Sequence, residues 1–123
     1  MALSKKKVKY GELWIANFEP QVGEEITKKR PALVVSNNFF NQNNSCVFVV
    51  PLTTWQNKFL IRPWYLRIFK NATNGLEVDS AINCSQLKSF SKDRLIKKIG
   101  EVDEKILKEV KFIIDEILDS RFN

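Results

Sequence analysis

Arg30 stands in Lys28-Lys29-Arg30-Pro31, directly ahead of the apolar run Ala32-Leu33-Val34-Val35. A second apolar run, Val47-Phe48-Val49-Val50-Pro51-Leu52, ends in two hydroxyls, Thr53 and Thr54. A guanidinium is a planar fork of donors, suited to gripping a phosphodiester and the extra charge of its transition state. It stays protonated at neutral pH and is a poor general base. Its natural part is electrostatic clamp, with proton donation to a leaving oxygen as a second use. A threonine hydroxyl can donate to a non-bridging phosphate oxygen. The chain contains no histidine, so the commonest acid/base side chain is missing and phosphate chemistry would fall to residues such as Arg30 and Thr53. Taken singly, each is also an ordinary strand neighbour: a solvated arginine before one strand, a β-forming threonine ending another.

Lysine and arginine number 20 against 14 acidic residues, a net charge of +6, with a pI near 9.4. That balance fits an anionic partner, nucleic acid or an acidic protein segment, and equally fits plain solubility. A length of 123 residues leads us to expect one domain, 1–123. With 44% hydrophobic and 28% charged residues, the chain should pack a core. That core is modest, and a partner subunit would cover surplus apolar surface. Cys46 and Cys84 form no Cys-x-x-Cys pair. They read as buried free thiols in strand-like runs, and no metal or other cofactor is expected. The basic Met1 to Lys7 stretch lacks the apolar segment of a signal peptide, and no apolar run is long enough to span a bilayer. We therefore expect a cytoplasmic protein with reduced thiols and no membrane contact.

The elements that position these residues are short. Val8 to Phe18 reads as a first strand and 19–29 as a charged loop. Pro31 to Ser36 reads as a strand buried on both faces, with proline at its first position. Asn37 to Ser45 is asparagine-rich and reads as a loop with Phe39 and Phe40 tucked inward. Cys46 to Leu52 is a third strand, Trp55 to Pro63 a polar-aromatic loop, and Trp64 to Phe69 a strand. Asn71 to Gly75 is a turn whose Asn74-Gly75 is a hairpin signal. Leu76 to Leu87 is extended. Ser91 to Arg94 reads as a capped helical turn. From Val102 the period changes: Ile106, Leu107, Val110, Ile113, Ile114, Ile117 and Leu118 make one helical stripe behind Asp103 as N-cap. Glu104–Lys108 and Lys105–Glu109 are candidate pairs on its wet face. Short strands followed by one helix give a mainly β, α+β fold: a small bent sheet or barrel of five to seven strands with a C-terminal amphipathic helix on it.

Gly11-Glu12-Leu13-Trp14, Pro20, Gly23-Glu24-Glu25 and Arg30-Pro31-Ala32-Leu33-Val34-Val35-Ser36-Asn37 follow one another in an order that resembles the MazF/PemK toxins of bacterial toxin–antitoxin systems. The resemblance continues through Val50-Pro51-Leu52-Thr53-Thr54, Gly75-Leu76-Glu77-Val78-Asp79-Ser80, Cys84-Ser85-Gln86, Arg94-Leu95 and Ile99-Gly100. It implies an SH3-like, CcdB/PemK-type barrel working as a homodimer. It also implies metal-independent, sequence-specific endoribonuclease cleavage of single-stranded RNA, and an acidic antitoxin whose C-terminal segment occupies the RNA groove. Arg30 and Thr53 fall on the family's catalytic pair. Ile26, Lys29 and Ser85 stand where relatives carry glutamine, histidine or aspartate, which bears on sequence preference and proton transfer.

The implied reaction is attack by the RNA's own 2′-hydroxyl on the adjacent phosphorus. Glu25, Glu77 and Asp79 are the candidate bases, and Lys28, Lys29, Lys58, Arg62 and Arg67 the candidate phosphate track. Trp55 and Phe59 are candidates for stacking on bases; Trp64 reads as core or dimer contact. Ser85 and Gln86 could read base edges, and Thr54 is supporting. Two rivals share the small barrel: a CcdB-like toxin that poisons gyrase by protein contact, and a non-catalytic nucleic-acid-binding module.

Overall fold

A computed structural model describes residues 6–18 and 29–122. Glu25, Ile26 and Lys28 lie outside the described residues. The described chain forms seven strands: β1 (Glu12–Asn17), β2 (Lys29–Val34), β3 (Cys46–Thr54), β4 (Tyr65–Ile68), β5 (Ser80–Asn83), β6 (Lys88–Ser91) and β7 (Leu95–Glu101). Two helices accompany them, α1 (Asn38–Asn43) and α2 (Glu104–Ile117). All strand pairs are antiparallel, in the order β4-β5-β3-β2-β1-β7, with β6 also on β3. Among the described residues no ladder joins β4 to β7, so the sheet is bent but open, not a closed barrel.

Alternation along the central strands splits the core in two. Leu13, Leu33, Val50, Leu52 and Ile82 face α2 and meet its Leu107 and Val110. Trp14, Ala16, Ala32, Val34, Val47 and Val49 face the other way, onto Phe90 and Leu95. β2 is thus buried on both faces, as its run of apolar residues predicts. Its proline sits third, not first. The β2–β3 ladder begins at Ala32, paired with Pro51, one residue beyond Pro31. Neither proline has an N–H to give, and the two strands part here. β3 then continues alone on that edge while pairing with β5 through Leu52–Ile82, Thr53–Ala81 and Thr54–Ser80.

α1 occupies the region expected to be loop. Asn37 caps it, accepting from the Phe40 N–H at 2.8 Å. Buried Asn41 donates to the Ser36 carbonyl at 2.8 Å, and the Ser36 hydroxyl accepts the Phe48 N–H at 2.9 Å, which ties α1 to the sheet. Phe39 is not tucked inward; it is 80% exposed, because the helix turns it away. Asn74-Gly75 does not close a two-residue hairpin. Asn74 Oδ1 instead accepts from the Asn71 and Leu76 N–H groups, and its amide donates to Phe69 O, building a longer connection from β4 to β5. Ser91 caps the short turn Lys92–Arg94, and Asp103 caps α2 by accepting from the Ile106 N–H at 3.0 Å. Neither expected helix pair is among the ion pairs of the described residues; α2 makes Lys111–Asp115 at 2.8 Å. Cys84 is buried and Cys46 half-buried, both free. Burial pushes the Cys84 thiol up to about 12.

Candidate active site

The parting of β2 and β3 opens the surface at the residues that carry the chemistry. Counting the Ala32–Pro51 register on by two sets Arg30 opposite Thr53. By strand alternation both share the face of Ala32, Val34, Val47 and Val49. Two cavities flank them, and Arg30 and Thr53 line both.

The larger cavity, about 590 Å³, is also lined by Lys29, Thr54, Glu77 and Lys97. Its far wall is the stretch from Gly75 to Val78, held close by a contact only glycine permits. Gly75 has φ +69°, and a Cβ there would lie 1.9 Å from the Ile99 carbonyl oxygen. The smaller cavity, about 250 Å³, is lined by Gln56, Lys58, Arg62, Tyr65 and Asn83 beside Arg30 and Thr53. Tyr65 and Asn83 are cross-strand partners of β4 and β5. The Asn83 oxygen is taken by Ser85, whose hydroxyl donates at 2.6 Å and whose N–H donates at 3.2 Å. Among the described residues, five cations stand across the two cavities, Lys29, Arg30, Lys58, Arg62 and Lys97, with Glu77 as the carboxylate. Such a surface attracts a polyanion and strengthens donors aimed at a phosphate.

The expected site residues divide accordingly. Lys29, Thr54 and Glu77 come together with Arg30 and Thr53 in one cavity, and Lys58 and Arg62 in the other. Asp79 does not line either; its carboxylate accepts the Lys70 N–H at 3.0 Å and its carbonyl the Trp55 N–H at 3.0 Å, so it shapes the turn. Phe59 lines the smaller cavity but offers little surface for stacking. It is 5% exposed and stacked on Tyr65 at 4.0 Å, because the short turn Asn57–Ile61 rolls it into the sheet. Trp55 is half-buried, edge-on to Phe59 at 5.7 Å, with the Arg67 guanidinium 4.7 Å above its ring. Its indole N–H has no partner among the described residues. Trp64 is 39% exposed and not part of the core. Ser85 and Gln86 are exposed in the turn after β5, outside both cavities, and Ser85 reaches the smaller one only through Asn83.

Gln56, Tyr65, Asn83 and Lys97 were missed as site residues. Lys97 had no local signal, since Leu95-Ile96-Lys97-Lys98-Ile99 does not alternate. Tyr65 and Asn83 are brought together by the β4–β5 pairing, and Gln56 stands at the start of the short turn Asn57–Ile61; no local pattern announces either placement.

An open, bent antiparallel sheet with a helix on one face, and an arginine–hydroxyl pair among cations, defines a small basic protein equipped to hold a phosphodiester. Residues 9–118 match the family described as PemK-like, MazF-like toxin of type II toxin-antitoxin system. Endoribonuclease MazF9 of Mycobacterium tuberculosis is 33% identical over 97 residues, covering 75% of this chain and 80% of that protein. The fold is similar to MazF from Deinococcus radiodurans, with a TM-score of 0.74, 23% identity, and coverage of 93% of this chain and 98% of that one. It is also similar to an endoribonuclease in complex with its cognate antitoxin from Mycobacterial species, with a TM-score of 0.69, 22% identity, and coverage of 90% and 94%. The chain belongs to the PemK-like, MazF-like toxin family.

Proposed function

We infer that this chain is an endoribonuclease toxin that cuts single-stranded RNA at preferred sequences without a metal ion. The observation that carries this reading is the sharing of both cavities by Arg30 and Thr53. The 2′-oxygen bonds to phosphorus as the bond from phosphorus to the 5′-oxygen breaks. The 2′-hydroxyl gives up its proton, and the leaving 5′-oxygen receives one. The products are a 2′,3′-cyclic phosphate and a 5′-hydroxyl. Arg30 clamps the negative charge that develops on the phosphoryl oxygens and can protonate the leaving oxygen. Thr53 donates its hydroxyl to a non-bridging oxygen. Glu77 is the carboxylate in the larger cavity and the favoured base among the described candidates. Holding the 2′-hydroxyl in line with the breaking bond contributes much of the rate.

Lys29, Lys58, Arg62 and Lys97 carry the flanking phosphates, and the amides of Gln56 and Asn83 face a base in the smaller cavity. The working unit is a homodimer in the cytoplasm, restrained by an acidic antitoxin. Exposed Leu60 and Ile61 between Lys58 and Arg62 give the rim the mixed apolar and basic character that an acidic amphipathic segment needs. No helix of the described residues is long and apolar enough to cross a membrane. Incubation of the purified protein with RNA in EDTA tests the reading: cleavage is expected, and intact RNA, or cutting only after metal is added, overturns it.

A further inference from the structure

A third cavity shares no residue with the two beside Arg30 and Thr53. It encloses about 650 Å³ and is walled by Lys6, Lys7, Lys9 and Lys92 with the amides of Asn38 and Gln42. Among the described residues no carboxylate lines it. Glu12, close in sequence, is occupied elsewhere: it pairs with Lys98 at 3.1 Å and accepts the Trp14 indole N–H at 2.9 Å and the Lys9 backbone N–H at 2.9 Å.

Lys92 is the telling residue. It is 3% exposed, and its ammonium donates to the backbone carbonyl of Asn41. No ion pair to it exists among the described residues. An ammonium has three donors, and a buried charge with only a neutral partner is costly unless an opposite charge joins it. Lys6 is steadied by the Leu95 carbonyl and by the Trp14 ring, 5.9 Å from its ammonium. Lys7 and Lys9 stand exposed at the rim. Every ionisable group of this wall is therefore a donor, supplied by two separate parts of the chain, Lys6 to Lys9 and Lys92. A compact anion of more than one charge and several acceptor oxygens matches such a wall better than a single flat carboxylate.

We propose that this lysine-lined cavity binds a phosphate group, separately from the cleavage site. The phosphate belongs either to a nucleic-acid backbone, anchored away from the cut, or to free phosphate.

The test is a titration of inorganic phosphate followed by amide NMR, on the wild-type protein and on Arg30→Ala. Saturable shifts of the Val8, Gln42 and Lys92 amides are expected in both. The exposed pair Lys7→Ala with Lys9→Ala should weaken that binding about fivefold or more, as expected for two lost charge contacts, while leaving the spectrum folded. Lys92→Met, if it folds, should abolish it. A short single-stranded DNA, which has no 2′-hydroxyl to react, distinguishes the sources. If it shifts the same amides, the ligand is a polynucleotide backbone. If only inorganic phosphate shifts them, the ligand is free phosphate. Shifts confined to Arg30 and Thr53, or no saturable shift at Val8, Gln42 and Lys92, overturn the proposal. So does unchanged binding in the double lysine variant.

Discussion

Arg30 owes its position to a proline. Pro31 has no N–H, the β2–β3 ladder starts only at Ala32, and the guanidinium is left at an opening between strands. Thr53 reaches the same opening because the pairing of β3 with β2 ends two residues earlier, at Pro51, while β5 holds the other edge of β3. On the proposed mechanism Thr53→Ser keeps the donor and should retain most of the cleavage rate, whereas Thr53→Val, of equal shape, should lose about 100-fold or more, the scale of one lost transition-state donor; single-turnover cleavage assays read both. Cys84 makes an independent prediction. Its thiol is buried and pushed up to about 12, while an unfolded cysteine ionises near 8.5. Below the unfolded value both states are protonated and folding keeps its full stability. As pH rises from there towards 12 the unfolded state loses the proton first, so stability falls. Urea unfolding between pH 8 and about 10.5 should show this slope, and Cys84→Ala should flatten it. In the native protein, a thiol reagent should label Cys46 well ahead of Cys84.

At the scale of elements, what was legible followed local pattern. β2, β3 and α2 each carry a strong signal: a valine-rich run, a second such run, and a stripe at helical spacing behind Asp103. The capped turn at Ser91 was equally plain, since its cap is a neighbour in sequence. β6, Lys88-Ser89-Phe90-Ser91, has one buried apolar side chain and is a strand because β3 pairs with it. α1 is short and asparagine-rich and persists through Asn41 and its bonds to Ser36. Phe59 was misread because an aromatic in a polar loop looks available until Tyr65 stacks on it. Among candidate site residues, Arg30, Thr53 and Glu77 could be named from motifs, but their neighbours Asn83 and Tyr65 required the β4–β5 register. The wall of the larger cavity depends on Gly75, whose positive φ and contact with Ile99 exclude a side chain. Gly75→Ala should destabilise by more than about 1 kcal/mol, read as a lower denaturation midpoint. Cleavage should fall with it as that wall shifts. Asp103→Ala removes the cap of α2 and should cost about 1 kcal/mol, with cleavage per folded molecule unchanged.

For the whole molecule, the cations gathered around one opening matter more than the net charge of +6. Binding of an uncleavable single-stranded oligonucleotide should weaken steeply with salt. Lys58→Ala and Arg62→Ala should each lower the slope of log affinity against log salt by about 0.7, as for one phosphate contact on a single strand. A slope untouched by both removes the smaller cavity from the RNA track. A gyrase supercoiling assay should show no inhibition, which separates this reading from toxins that act by protein contact. Light scattering should return a dimer if the exposed Phe112 on α2, Leu118 at its C-cap and the exposed Phe39 on α1 are covered by a second copy.

The most direct measurement is end-mapping of one defined RNA after incubation in EDTA with the wild type, Arg30→Ala and Thr53→Ala, each first shown to be folded. The wild type should leave 2′,3′-cyclic phosphate and 5′-hydroxyl ends at a recurring sequence, and both variants should leave the RNA whole. Cleavage by either variant at the wild-type rate, or ends bearing a 5′-phosphate, would contradict a reaction centred on Arg30 and Thr53.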